Sequence, residues 1–102
     1  MKETLQLASD LLAYFVKYYD NPIPKNKRAK IIAQLNDLVY KLRTISSTYE
    51  TFAKRSLDAC LASIVLIMRE INDPTYYTNT NPNKHIIALM GKCISELTDP
   101  FV

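Results

Sequence analysis

The sequence holds one glycine, one histidine, two cysteines and no tryptophan among 102 residues. Hairpin turns, dinucleotide-binding loops and phosphate-cradling loops lean on glycine for positive φ, so its scarcity argues against a β-rich or nucleotide-binding α/β fold. Two cysteines are too few for a disulfide scaffold, and their spacing is not that of a metal site. Long apolar runs are missing too. Within the apolar segments the longest uncharged stretch is Ala59–Met68, about 15 Å of helix and half the thickness of a bilayer core. The start, Met1-Lys2-Glu3-Thr4, carries an acid early with no continuous apolar stretch behind it, unlike a secretory signal. These absences predict a reduced, cytoplasmic protein with no membrane segment. The composition, 48% hydrophobic and 23% charged, is that of a globular chain, and its length suits a single domain over residues 1–102.

What is present is helical periodicity. Pro22, Pro24, Pro74, Pro82 and Pro100 all fall outside the periodic apolar segments and divide the chain into four blocks. The first spans about Thr4–Tyr19, with Leu5, Ala8, Leu12, Phe15 and Tyr19 recurring at steps of three or four. The second spans about Pro24–Ile45, with Ile31, Leu35, Leu38, Leu42 and Ile45 as its seam and Pro24 suited to the first turn. Ser47-Thr48-Tyr49-Glu50 reads as a capping box opening the third block, whose seam is Leu57, Leu61, Ile64, Met68 and Ile71. The fourth spans about Pro82–Leu97, capped by Asn81, with Ile86, Met90, Cys93 and Leu97 inward. The predicted fold is all-α: an antiparallel up-down-up-down four-helix bundle, with Leu35, Leu38, Leu61, Ile64, Met90 and Leu97 buried. Single helices of this length are unstable alone in water, so the seams must bury one another.

Residues able to carry catalysis are sparse. His85 and Cys93 lie eight apart on one predicted helix, about 12 Å along its axis, too far for a nucleophile–base pair. No Glu-x-x-His pair includes His85, so a di-metal bundle site is not indicated. His85 reads as a solvated side chain, and Cys60 and Cys93 as buried free thiols on apolar seams. No enzyme activity, metal or other cofactor is expected.

Charge is the more informative feature. The net +3 hides a basic middle third. Residues 25–55 carry Lys25, Lys27, Arg28, Lys30, Lys41, Arg43, Lys54 and Arg55 against Asp37 and Glu50, whereas the segments on either side are each slightly acidic. Lys25, Lys27 and Arg28 cluster at the start of the second helix, and Lys30, Gln34 and Lys41 share one of its flanks. Lys54 and Arg55, after the next turn of the chain, are placed to join Lys41 and Arg43. Such a patch attracts nucleic-acid backbone through counterion release; it also fits a solvated face, an acidic protein or anionic lipid. On the third helix, Arg55, Ala59, Ala62, Leu66 and Arg69 form a strip opposite Leu57 and Ile64. Ala59, Ala62, Leu66 and Arg69 are expected at a subunit interface, the other reading being a helix partly covered by the loop 73–81. In that loop Tyr76 and Tyr77 either stack on bases and partners or lid the end of the core.

Leu11-Leu12, then Ile23-Pro24-Lys25-x-x-Arg28 at the entry to the second helix, then Ala53 with Leu57-Asp58, then Met90-Gly91-Lys92-Cys93-Ile94 occur in that order. The series resembles the small bacterial four-helix-bundle family of accessory variability determinant proteins and ribosomal-RNA intervening-sequence proteins. The resemblance spans about residues 11–97. It implies a non-enzymatic, basic subunit that assembles into pentameric barrels and binds a reverse transcriptase and nucleic acid, template RNA or cDNA, of a diversity-generating retroelement. It gives Lys25 and Arg28 a place in that surface by motif position. It also implies that Gly91, in mid-helix, lets helices approach closely. The alternative function is a small helical adaptor or inhibitor whose basic face meets an acidic protein.

Overall fold

Four helices account for nearly all of the regular structure in the computed structural model, which describes residues 2–46, 51–78 and 80–98 and their side chains apart from those of 46 and 51–54. They are α1 (Lys2–Lys17), α2 (Lys25–Ser46), α3 (Thr51–Asn72) and α4 (Lys84–Thr98), with a single 3₁₀ turn, Tyr76–Thr78, between α3 and α4. Each helix touches two others: α1 packs on α2 and α4, and α3 packs on α2 and α4. Among the described residues the pairs α1–α3 and α2–α4 do not meet, so α1 and α3 sit on opposite sides of the core. The result is a compact all-α domain of 42 × 20 × 20 Å, consistent with a four-helix bundle. No helix of the described residues is long and apolar enough to cross a membrane.

The buried faces follow the expected periodicity in α2 and α4. Ile31, Leu35, Leu38 and Leu42 are buried in α2, as are Ile86, Met90, Cys93 and Leu97 in α4. In the other two helices the face is turned. α1 buries Thr4, Ala8, Leu11 and Phe15, while Leu5 and Leu12 are half-buried. Tyr19 lies in the turn beyond Lys17, where it is exposed. α3 buries Leu57, Cys60, Ile64, Ile67 and Ile71. Leu61, expected in the core, is half-buried together with Met68. The reason is the close approach of α4, which draws Cys60 and Ile67 inward and moves Leu61 and Met68 to the edge of the apolar face. Ser63, drawn in on the same side, satisfies its hydroxyl by donating to the Ala59 carbonyl at 3.2 Å.

Cys60 and Cys93 are not free thiols, as their packing on apolar seams suggested. They form a disulfide between α3 and α4, with Cα atoms 4.6 Å apart, and both residues are fully buried. Opposing seam positions on two packed helices bring the Cβ atoms within bonding reach, a juxtaposition that a count of cysteines does not reveal. Gly91 departs from expectation as well. A Cβ built there meets nothing within 4 Å, so the glycine does not serve close helix packing.

The second connection closes one end of the molecule. Tyr76 is buried there and Tyr77 half-buried, their rings edge-to-face at 5.1 Å. The pair lids the core and is not displayed for stacking on bases. The Tyr76 hydroxyl accepts from the Ile23 N–H at 3.0 Å and donates to Asn83 Oδ1 at 2.6 Å. Asn83 Nδ2 donates to the carbonyls of Tyr18 and Asn21 at 2.7 and 3.0 Å. Burial pushes the Tyr76 phenol above its ordinary range, so the neutral, hydrogen-bonded form is held across neutral pH. α4 therefore opens two residues later than Asn81 would cap it. Asn83 occupies the capping position, its carbonyl accepting from the Ile87 N–H at 2.8 Å while its side chain ties the two loops together. The capping box expected at Ser47–Glu50 lies outside the described residues.

Candidate nucleic-acid interface

α2 begins immediately after Pro24, which presets φ but has no side-chain acceptor for the orphan N–H groups of the first turn. The Lys27 N–H finds the Pro24 carbonyl at 2.9 Å. No acid stands in that first turn; it carries Lys25, Lys27 and, one step on, Arg28. Cations at the positive end of a helix dipole each cost about 0.3–1 kcal/mol of helix stability. α1 has the opposite, favourable arrangement, with Glu3 in its first turn and Lys17 in its last. α4 also opens on cations, but there His85 Nδ1 is paired with Glu70 of α3. At the start of α2 no carboxylate within ion-pair distance accompanies Lys25, Lys27 or Arg28 among the described residues. The ion pairs recorded among them are His85–Glu70 and Lys41–Asp37 at 3.5 Å.

The helix separates the basic residues onto two flanks. Lys27 and Lys30, with Gln34, line a cleft of about 240 Å³ against Asp10, Leu11 and Tyr14 of α1. Lys25 and Arg28 face α3, lining a cleft of about 370 Å³ with Ala29, Ile32 and Asn72. Arg28 donates through Nη2 to Asn72 Oδ1, and the Lys25 ammonium stands 5.2 Å from the centre of the Tyr77 ring. The three residues that read as one cluster in the sequence thus straddle the outward face of α2. Between the flanks that face presents exposed Ala29, Ala33, Asn36 and Tyr40.

The other expected members lie at the far end of α2. Arg43 is exposed there; Lys41 is half-buried on the α1 flank, held by Asp37. Arg55 is exposed at the start of α3, while the side chain of Lys54 lies outside the described residues. The structure therefore gives Lys25, Lys27, Arg28 and Lys30 one neighbourhood and separates Lys41, Arg43 and Arg55 from them by several turns of helix. On α3, Ala62, Leu66 and Arg69 are exposed and Ala59 is half-buried, with Val65 exposed beside Leu66.

Sequence reading missed Asn72 and Tyr77 as partners of the basic cluster. A polar residue at the last position of α3 and a tyrosine after it carry no signal until the fold brings them against α2. Among the described residues no group of three or more His, Cys, Asp or Glu side chains is placed to hold a metal. Comparison with protein-family models, curated proteins and solved structures yields no match to the chain.

Proposed function

We propose that the protein is a nucleic-acid-binding subunit, folded as an antiparallel up-down-up-down bundle, whose contact with phosphate backbone is made by the start of α2. The observation that carries this reading is the uncompensated group Lys25, Lys27, Arg28 and Lys30, set where the α2 dipole makes positive charge costly. Local rules are broken in this way where a site needs the charge, and a phosphate relieves both the helix end and the cations. Exposed lysines on both flanks suit backbone contacts, which position without reading sequence. In this proposal the protein acts as a non-enzymatic accessory to a polymerase, a reverse transcriptase being the partner that the family resemblance implies. The test is anisotropy with labelled RNA and DNA strands of unrelated sequence: at low salt all bind with similar affinity, and failure of every strand to bind contradicts the reading.

The face of α3 supports self-assembly as part of the same function. Leu66 is 43% and Val65 37% exposed, bracketed by Arg55 and Arg69. Two copies of this strip packed antiparallel about Ala62 would set Arg55 against Arg69, a like-charge pairing. A head-to-tail contact with a different surface of the next copy avoids it, and such contacts close into rings. Leu66→Glu, which puts an unpaired charge in that contact, yields monomers by light scattering with the helical circular dichroism retained. A wild-type protein that is monomeric at micromolar concentration contradicts the assembly.

A further inference from the structure

The cleft between the start of α2 and the end of α3 contains a donor without an acceptor. Arg28 Nη2 is engaged by Asn72, which fixes the guanidinium plane. Its Nε–H is shielded from solvent and meets no acceptor. The neighbouring Lys25 ammonium is held over the ring of Tyr77, whose hydroxyl is likewise shielded and unpartnered. Buried polar groups are nearly always paired, so unmatched donors beside two cations call for an explanation. Ala29 and Ile32 line the same cleft and bring no charge to it.

An acceptor that fits is anionic, rich in oxygen and able to take a guanidinium hydrogen bond and an ammonium together. A backbone phosphodiester carries a single negative charge and is satisfied by one lysine on an open flank. A terminal phosphate carries about −1.5 to −2 charges and three acceptor oxygens, which matches Lys25 and Arg28 converging on one cleft. We propose that the cleft of Lys25, Arg28 and Asn72 binds a terminal phosphate group, that of a nucleic-acid end whose backbone lies against Lys27 and Lys30. This rests on the nucleic-acid reading above for the source of the phosphate, while the cleft's affinity for phosphate stands on its own geometry.

The experiment compares three short single-stranded RNAs by anisotropy, one with a 5′-phosphate, one with a 3′-phosphate and one with hydroxyls at both ends. A terminal phosphate tightens binding about tenfold, the scale of one added charge-assisted contact. Arg28→Lys, which keeps the charge but has no Nε–H beside a planar fork, removes that gain while a thermal melt shows it folded. In parallel, inorganic phosphate is titrated into the free protein while the Arg28 Nε–H resonance is followed by NMR. Saturable shifts of that resonance support the cleft. If those shifts appear but no RNA binds, the nucleic-acid reading fails and the cleft remains a site for a free phosphate compound. Equal affinity for the three RNAs, or a phosphate titration that leaves the Arg28 resonance unmoved, overturns the proposal.

Discussion

Cys60→Ala lowers the unfolding free energy by about 4 kcal/mol, the largest effect expected of any single substitution. The disulfide closes a loop across a sequence separation of 33. By the chain-entropy relation that loop falls between the roughly 3 kcal/mol of a 15-residue loop and the 4.7 kcal/mol of a 100-residue one. Domains of this size have only about 5–15 kcal/mol of net stability, so the melting temperature drops by about 15 °C or more. Strong reductant under denaturing conditions, removed by refolding with the thiols blocked, does the same to the wild type. Under native conditions reduction is slow, because both cysteines are fully buried. Intact mass of the purified protein shows two hydrogens fewer than the reduced chain. A wild type whose melt ignores complete reduction contradicts the pairing of α3 with α4 through these residues.

Asn83→Leu costs about 3–5 kcal/mol, although the replacement matches asparagine closely in size. Asn83 is fully buried, and its amide serves three partners at once: the Tyr76 hydroxyl and the carbonyls of Tyr18 and Asn21. Leucine leaves all three without their hydrogen bonds, and each buried unsatisfied group costs about 1–3 kcal/mol. Tyr76→Phe removes the shared hydroxyl and costs about 1–3 kcal/mol by the same argument, since the Ile23 N–H and Asn83 Oδ1 lose one partner each. Because both substitutions break one network, the double variant is less destabilised than the two losses added together. Chemical denaturation of the three variants measures this, and strict additivity contradicts a shared network.

The elements of this fold were legible because proline and apolar spacing are local signals. Pro22, Pro24, Pro74 and Pro82 all lie between helices, and the seams of α2 and α4 are inward as their spacing requires. What the spacing could not fix was the rotation of α1 and α3. A run with apolar residues on more than half its circumference, such as Leu57–Ile71, offers two adjacent faces. The neighbour α4 chooses between them, turning Cys60 and Ile67 inward at the expense of Leu61 and Met68. The disulfide and the Tyr76–Asn83 knot join residues 33 and 7 apart to partners across the chain, and neither motif exists until the helices have docked. The basic cluster was visible as composition. Its division into two flanks, and the partners Asn72 and Tyr77 on one of them, came only with α3 and the closing loop in place.

The central claim is that the first turn of α2 keeps its cations for phosphate at a cost in stability. The measurement that tests it most directly is a salt titration of nucleic-acid binding by the wild type and by Lys25→Glu/Lys27→Glu, with a thermal melt of each. If about four cations contact phosphates, log affinity of the wild type falls against log salt with a slope of about −3 to −4. The variant loses two of those contacts, binds more weakly to every sequence and has a slope flatter by about 1.5. It also melts higher than the wild type, because glutamates now occupy the positive end of the dipole, worth about 1 kcal/mol. A more stable protein that binds less is the signature of charge kept for function. Equal binding and equal salt slopes for the two proteins contradict the claim and leave the basic start of α2 a solvated face.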